Sequence, residues 1–434
     1  MNEYIHWFVT TLDGFYLYFG LMAIPALLRS TNLIFWAVTL IFIRYQFPVL
    51  ALYAGYLIKP WKFEPPPLRT YAGREPLVSF IIAGRNPGYS IVTCIESVLK
   101  SNYKNVEVIF ADDYSTDDSV ELARSYEPTG KVRVIANANH SGKPANLNVA
   151  LMFVRGEFVF VLDADSQIYP DTVHNMLPLF DEDEQVGGIS PSILVRNWRN
   201  TLLTRFQSFE YVMTYILNQL WRDRLGMIMI LSGMGTMFRT SALRSLGGYD
   251  MGLGDDTDIT IRLRKTQWKL RTSLRGCIST DVPETLPHLL RQRSRWTRNM
   301  VKMRLRKHRD MGSGRYGFVN AFCFYEQVLN RVIHPYFIVG LVLYMHLFKG
   351  ADTPVVIGGL YAFGTAILIC KFLIGHDMTH GRPSLGVFWL VPFYMLYRLP
   401  LLGVQVVQVA RELLMISPWH PYVPRRIWDK IPHH

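Results

Sequence analysis

The 434-residue chain has little charge and little cysteine for its length. Charged residues make up 18% of the sequence and hydrophobic residues 50%, a composition that is lean for a fully water-soluble enzyme. The four cysteines are far apart and form no CxxC pair, which argues against a disulfide framework and against a zinc site. We therefore expect buried free thiols in a reducing compartment.

Other absences narrow the possible functions. The N-terminus opens with Glu3 rather than a basic segment, and Asp13 interrupts the first apolar run, so no cleavable signal peptide is expected. The net charge is +12, yet the sequence has no zinc-finger spacing and no recognisable RNA-binding motif, so we expect no nucleic-acid partner. Part of the positive charge is explained by topology, because Lys and Arg collect on the cytoplasmic side of membrane spans.

Apolar residues are concentrated at the two ends of the chain, around a polar middle. Gly14–Leu28 and Leu33–Ile58 are predicted N-terminal spans, and the cations Lys59 and Lys62 mark the following side as cytoplasmic. At the other end, 318–348 is predicted to begin as an interfacial amphipathic helix and to end as a span. Further spans are predicted at 354–374 and 386–404, and 405–416 either continues the last one or turns along the surface.

These patterns divide the chain into four regions and predict a lipid bilayer as a partner. The regions are N-terminal transmembrane helices at 1–60, a cytoplasmic domain at 70–300, basic or amphipathic interfacial helices at 301–331, and C-terminal transmembrane helices with a basic tail at 332–434. We expect a multi-pass protein of the inner or plasma membrane.

The middle region alternates short strands with helices. Strands are predicted at 77–83, 106–111, 132–136 and 158–162, and helices at 90–99, 120–125 and 146–154. This alternation predicts an α/β fold with a mostly parallel sheet covered on both faces. Ligands in such folds bind beyond the carboxyl ends of the strands.

Two of the predicted strands end in acidic clusters. Asp112 and Asp113 follow the second strand, where they can accept hydrogen bonds from a ribose or a base or simply cap the next turn. Asp163 and Asp165 follow the fourth strand, and residues two apart in an extended segment point the same way. Because an unpaired doublet of buried carboxylates is costly, we favour a site for Mg²⁺ or Mn²⁺ shared with substrate phosphates.

Two further motifs lie towards the end of the middle region. Gly254–Asp258 (GDDTD) begins an amphipathic helix, where a carboxylate can cap the helix or act as a general base within about 3 Å of a hydroxyl. Gln292, Arg295 and Trp296 form the pattern QxxRW; a guanidinium can stabilise departing pyrophosphate and an indole can support a sugar ring. For the later cations, from Arg298 to Arg309, we prefer a helix attracted to anionic lipid headgroups.

In this order, the four motifs resemble the signature of the processive family-2 glycosyltransferases, which include cellulose, chitin, hyaluronan and bacterial capsule synthases. The segment 139–151 (NHSGKPANLNVAL) also resembles the nucleotide loop of that family, and 232–243 (SGMGTMFRTSAL) resembles its acceptor segment. The resemblance covers about 77–300 and implies a GT-A-type nucleotide-sugar domain inserted between transmembrane and interfacial helices.

The resemblance also implies a role for each matching residue. The implied nucleotide contacts are Asp112, Asp113, Lys143, Asp163 and Arg295, and the implied metal ligands are Asp163 and Asp165. The implied acceptor contacts are Ser232, Gly233, Asp255, Gln292 and Trp296. Asp256 is the implied catalytic base, and Asp258 is a competing candidate for the same role.

The activity that the resemblance implies is an inverting polysaccharide synthase with a UDP-sugar donor and a growing polysaccharide acceptor. It would use Mg²⁺ or Mn²⁺ and pass the product through its own membrane helices. Two alternatives stay open: transfer of one sugar to a lipid carrier, and a membrane scaffold or transporter that only binds nucleotide. The gating-loop pattern FxVTxKG of the cellulose synthases is not visible after QxxRW, so we expect no cyclic-dinucleotide control.

Overall fold

The computed structural model describes residues 47–58, 74–251, 254–348, 353–379 and 385–414. The predicted span at 14–28 lies outside the described residues, as does most of the one at 33–58. The last part of that second segment is helix α1, Phe47–Ile58.

An eight-stranded sheet forms the centre of the middle region. Its strands are Val78–Gly84 (β1), Val106–Asp112 (β2), Val132–Ala136 (β3), Phe158–Asp163 (β4), Gln167–Ile168 (β5), Val186–Val195 (β6), Gly235–Arg239 (β7) and Lys269–Thr280 (β8). They lie in the order β3-β2-β1-β4-β7-β6-β8-β5. The first four in this order run parallel, and β7 is antiparallel to both of its neighbours. The four strands predicted from the sequence are confirmed.

Burial on both faces explains why the first strands are continuous apolar runs. Along β1, Phe80 and Ile82 belong to the hydrophobic cluster on one face of the sheet, and Ile81 and Ala83 to that on the other. The ring of Phe80 stacks on that of Phe160 in β4 at 5.0 Å. A parallel sheet covered by helices requires this pattern, because neither face meets water.

Helices cover the sheet and connect its strands. They are Ser90–Leu99 (α2), Ser119–Arg124 (α3), Lys143–Met152 (α4), Thr172–Asp181 (α5), Leu202–Tyr211 (α6), Asn218–Arg224 (α7), Thr240–Ser245 (α8) and Asp255–Lys265 (α9). The three helices predicted between the first strands are confirmed, although α4 begins at Lys143, three residues before the predicted start.

The strand register brings the acidic motifs to one edge. Gly84 at the end of β1 pairs with Asp112 of β2, and Ala83 pairs with Asp163 of β4. The two carboxylate-bearing strand ends therefore flank the end of β1, where ligands bind in folds of this type.

Helices and helical turns follow the sheet domain. They are Leu286–Val301 (α10), Phe318–Val328 (α11), His334–Phe348 (α12), Thr353–Met378 (α13) and Tyr394–Leu413 (α14). Among the described residues, Leu360–Met378 and Leu385–Leu413 are long and apolar enough to cross a membrane. These helices overlap the predicted spans at 354–374 and 386–404, and the chain stays helical to Leu413 rather than turning along the surface.

The sequence predicts that the cations from Arg298 to Arg309 face lipid headgroups. This prediction is wrong for three of them. Arg298 Nε lies 3.1 Å from Oε1 of Glu412 on α14, and Arg306 also pairs with Glu412. Arg304 is only 5% exposed. The carboxylate that turns two of these arginines inward lies more than a hundred positions away, so helix periodicity could not reveal it.

Candidate active site

Lys143 links two of the acidic motifs predicted from the sequence. Its Nζ lies 2.6 Å from Oδ1 of Asp163 and 3.7 Å from Oδ2 of Asp255, and it donates a hydrogen bond to the carbonyl of Gly233 at 3.2 Å. Burial alone would lower the pKa of this amine, but the two carboxylates more than offset it and raise the pKa above its usual value. Lys143 therefore stays charged. A diphosphate could take the place of its carboxylate partners.

Asp256 lies beside this group at the beginning of α9. Burial and the neighbouring charge of Asp255 raise the pKa of its carboxyl to about 6. The backbone N–H of Thr257 donates to its Oδ1 at 2.7 Å. A carboxylate whose pKa lies near neutrality can accept a proton from a hydroxyl, as a general base requires.

Asp258, the competing candidate for the base, is held in a different set of contacts. Its Oδ1 lies 2.8 Å from Nε2 of His308 and 2.6 Å from Nζ of Lys307. Burial alone would raise the pKa of this carboxyl, but the hydrogen bonds from His308 and Lys307 lower it to about 2. Such a weak base cannot take a proton from a hydroxyl near neutral pH, and this favours Asp256.

The residues of the predicted acceptor segment lie against Asp256. Ser232 and Gly233 line a narrow pocket together with Lys143, Asp255 and Asp256. A Cβ atom on Gly233 would lie 3.3 Å from Cβ of Asp256, so the glycine allows the backbone to approach the carboxylate closely. Lys143 and the candidate base Asp256 therefore line the same pocket.

Asp163 and Asp165 could hold a divalent cation together with substrate oxygens. The side chain of Asp165 is exposed to solvent, and partial desolvation and the nearby charge of Asp163 raise its pKa to about 6. No group of three or more His, Cys, Asp or Glu side chains suited to a metal occurs in the described residues. Two carboxylates fit Mg²⁺ or Mn²⁺ when phosphates supply further ligands, provided that Lys143 moves off Asp163.

Asp112 and Asp113 differ in what remains available to a ligand. Both oxygens of Asp113 are engaged, since His140 contacts Oδ2 at 2.7 Å and the N–H groups of Ser141 and Gly142 also bond to the carboxylate. Asp113 therefore shapes the turn before Lys143. Asp112 is 2% exposed, and its Oδ1 has no hydrogen-bond partner in the described structure.

The QxxRW residues lie on α10, which reaches the acidic motif through Gly254. A Cβ atom on Gly254 would lie 3.4 Å from Cβ of Asn299, three residues after Trp296. Residues three and four apart share a helix face, so Gln292, Arg295 and Asn299 lie on one side of α10. The buried Oε1 of Gln292 makes no hydrogen bond within the described residues. No hydrogen bond joins Trp296 to Asp256.

Sequence reasoning missed the buried ion cluster behind Trp296. Glu210 Oε2 accepts hydrogen bonds from Arg293 at 2.8 Å and from Tyr397 at 2.7 Å, and its Oε1 accepts one from Arg398 at 3.1 Å. The guanidinium of Arg293 lies 4.2 Å from the ring centroid of Trp296. In the sequence Glu210 is one carboxylate between Phe209 and Tyr211, and this local pattern cannot identify partners so distant in the chain.

Another pocket, with a volume of about 860 Å³, lies elsewhere in the described residues. Tyr169, His174, Cys277 and Thr379 are among its lining residues, and none of the predicted site residues lines it. We place the candidate site at the narrow pocket because the charged groups converge there.

Comparison with known proteins identifies similar sequences for the middle region. Residues 79–247 match the family described as Glycosyl transferase family 2. The chain is 32% identical over 231 residues to a beta-monoglucosyldiacylglycerol synthase of Nostoc sp., a match that covers 52% of this chain and 49% of that protein. It is 26% identical over 230 residues to a poly-beta-1,6-N-acetyl-D-glucosamine synthase of Staphylococcus epidermidis, covering 53% and 56%. The chain thus spans about half the length of these curated relatives.

A solved structure supports the fold. A mannosyltransferase from Pyrobaculum calidifontis, in complex with GDP-Man and Mn²⁺, superposes with a TM-score of 0.57 and 17% identity, over 88% of this chain and 99% of that one. At this identity the likeness concerns the fold alone. The central sheet and this likeness agree: residues 79–247, which match the family described as Glycosyl transferase family 2, lie in a domain with a GT-A-like fold.

Proposed function

We propose that this protein transfers a sugar from a UDP-sugar to an acceptor hydroxyl and inverts the anomeric centre. The observation that carries the proposal is the arrangement of Lys143, Asp255 and Asp256 around one pocket, in which a charged amine lies beside a carboxyl with a pKa of about 6. Asp163 pairs with the same amine. Such a site contains a cation that can stabilise an anionic leaving group and a base that can deprotonate a nucleophile.

The donor would lie along the ends of β2 and β4. Asp112, whose buried Oδ1 has no hydrogen-bond partner in the described residues, would accept a hydrogen bond from a donor group of the uridine. Lys143 would turn from Asp163 to the diphosphate, and Arg295 would add positive charge on the same side. Asp163 and Asp165 would hold Mg²⁺ or Mn²⁺, which would supply electrostatic stabilisation of the diphosphate.

The proposed chemistry is a single displacement. The acceptor oxygen forms a bond to the anomeric carbon while the bond from that carbon to the β-phosphate oxygen breaks, and the bonding electrons leave with UDP. The proton of the attacking hydroxyl passes to Asp256. An α-linked donor would therefore yield a β-linked product without a covalent enzyme intermediate, and Lys143 would offset the charge that develops on UDP.

We further propose that the acceptor is a growing polysaccharide, bound by Ser232, Gly233, Asp255, Gln292 and Trp296 and passed through the membrane helices. The domain would face the cytoplasm in a multi-pass protein of the plasma or inner membrane. The two apolar helices at 360–378 and 385–413 support a membrane location by length and composition. A second candidate is transfer to a lipid, and the similarity to a glucosyldiacylglycerol synthase favours it.

Product analysis separates the two acceptors. The purified full chain would be incubated with a panel of labelled UDP-sugars in Mg²⁺ or Mn²⁺, followed by solvent extraction. We expect solvent-insoluble label that a glycosidase releases. Label that passes into the organic phase would overturn polymer synthesis in favour of the lipid acceptor, and the absence of any transfer would leave a nucleotide-binding scaffold.

A further inference from the structure

The ammonium of Lys143 is paired with one of the two carboxylates assigned to the divalent cation. Its Nζ lies 2.6 Å from Oδ1 of Asp163 and donates a hydrogen bond of 3.2 Å to the carbonyl of Gly233. Oδ2 of Asp255 lies 3.7 Å from the same nitrogen. Oxygen atoms from three separate segments thus face one positive charge, and oxygen atoms are also the ligands that Mg²⁺ prefers. Lys143 and a divalent cation therefore compete for Asp163.

The turn before Lys143 fixes its backbone but leaves its ammonium able to change partner. Lys143 is the first residue of α4, and the N–H groups of Ser141 and Gly142 both bond to the carboxylate of Asp113. From this anchored position the side chain reaches the end of β4, and it is 32% exposed. A lysine ammonium sits on a flexible stem of four carbons. It can therefore move from Asp163 to another anion without a change in the fold.

A divalent cation on Asp163 would lie close to the ammonium that pairs with this carboxylate. Like charges repel strongly at short distance in a partly buried cleft, where the effective dielectric constant is below that of water. Asp165 supplies the second carboxylate, whose Oδ1 accepts long hydrogen bonds of 3.4 Å from Ser166 and 3.5 Å from Thr280. Because Mg²⁺ is usually held by carboxylates together with substrate phosphates, Asp165 alone is a poor site. Tight binding of the cation requires Lys143 to leave Asp163.

We propose that Lys143 excludes the divalent cation until a nucleotide diphosphate binds, so that metal and nucleotide enter and leave the site together. This inference rests on the proposed transferase function and concerns the order of binding at the same site. The diphosphate gives the ammonium a new anionic partner, and Asp163 then becomes available to the cation. When UDP departs, Lys143 pairs with Asp163 again and the cation is released.

This exchange couples the binding of the two ligands. If UDP raises the affinity for Mn²⁺ by some factor, Mn²⁺ must raise the affinity for UDP by the same factor. Contact between the cation and the diphosphate contributes part of the coupling, and the release of Asp163 by Lys143 contributes the rest. Removal of the ammonium should therefore tighten Mn²⁺ binding in the absence of UDP. A lysine that only binds nucleotide would leave that affinity unchanged.

Mn²⁺ binding to the purified full chain tests the exchange without requiring turnover. It would be measured by electron paramagnetic resonance with and without UDP, corrected for the Mn²⁺ that free UDP binds. In the wild type, UDP should tighten Mn²⁺ binding by at least about tenfold. Without UDP, Lys143→Met should bind Mn²⁺ at least about tenfold more tightly than the wild type, and UDP should then have a smaller effect. Unchanged Mn²⁺ affinity in Lys143→Met without UDP, or equal wild-type affinity with and without UDP, would overturn the proposal.

Arg196→Gln is the control for a general change of charge near the metal ligands. Nη2 of Arg196 donates a hydrogen bond of 3.2 Å to the backbone carbonyl of Asp165, and its guanidinium pairs with Asp281. The substitution therefore removes a nearby cation without freeing the carboxylate of Asp163, and it should change Mn²⁺ affinity much less than Lys143→Met does. Comparable tightening in the two variants would overturn the proposal, because exchange at Asp163 would then not be the cause.

A second variant and a turnover assay keep this inference separate from folding and from the proposed function. Lys143→Gln removes the charge but keeps a polar side chain, so it should show the same tightening if Lys143→Met is unstable. UDP release in Mn²⁺ by a wild type in which UDP does not tighten Mn²⁺ binding would keep the transferase function and overturn this inference. Coupling that depends on Lys143 in a protein that transfers no sugar would support this inference and contradict the transferase function.

Discussion

At the scale of single residues, two aspartates on one short helix have opposite properties. Asp256 has a pKa of about 6 because it is desolvated beside Asp255, whereas His308 and Lys307 lower the pKa of Asp258 to about 2. The two side chains lie two residues apart and therefore on different faces of α9. One faces the pocket of Lys143, and the other ties α9 to the segment after α10.

Replacing Asp256 by Asn tests the proposed base. We expect kcat to fall by a factor of about 10² to 10⁴, the usual contribution of general base catalysis, while UDP binds with unchanged affinity. Asp258→Asn is the matched control, which should mainly lower the melting temperature because it weakens the contacts to His308 and Lys307. Wild-type turnover in Asp256→Asn would show that Asp256 is not the base.

The pH dependence of kcat is a second test at this scale. Asp256 accepts a proton only when it is ionised, so kcat should rise about tenfold per pH unit below pH ~6 and level off above it. The profile should be measured at saturating donor and metal, since protonation of Asp165 otherwise weakens metal binding in the same range. A kcat that does not change between about pH 5 and pH 7 would mean that Asp256 is not the base.

At the scale of secondary-structure elements, Gly254 fixes how α9 begins. Its φ is +78°, and a Cβ atom there would lie 2.9 Å from Cγ of Met303. Gly254→Ala should therefore lower kcat/KM by displacing Asp255 and Asp256. Gly247→Ala is the control, because Gly247 has a φ of +72° but nothing within 4 Å of such an atom, so it shares the backbone strain without the clash. Equal effects of the two substitutions on kcat/KM would show that strain alone matters.

The cluster around Glu210 joins α6, α10 and α14. Arg293 and Arg398 outweigh the effect of burial and lower the pKa of Glu210, so this carboxylate is charged. Glu210→Gln leaves two guanidinium groups without their buried counter-charge and should destabilise the protein by about 3–5 kcal/mol. We also expect a higher KM for acceptor, since Arg293 contacts Trp296, with the KM for donor unchanged. Glu284→Gln, at an exposed position, is the control for charge loss. An unchanged KM for acceptor would show that Glu210 does not influence acceptor binding.

At the scale of the whole molecule, the sequence predicts the sheet and its acidic edge because both depend on local pattern. Continuous apolar runs required strands buried on both faces, and parallel register placed Asp112 and Asp163 together. The engagement of Asp113 by the turn at 140–142 and the pairing of Arg298 with Glu412 could not be predicted in this way. Those contacts join distant residues, and local periodicity carries no information about them.

The most direct measurement is UDP release by the purified full chain from a panel of UDP-sugars, in Mn²⁺ and in EDTA. If Asp163 and Asp165 hold a cation against the diphosphate beside Asp256, UDP release will occur in Mn²⁺ and will be lost in EDTA. Asp163→Ala will release no UDP, and it will also lose the Mn²⁺-dependent part of UDP binding. Full turnover in EDTA, or in Asp163→Ala, would contradict the account.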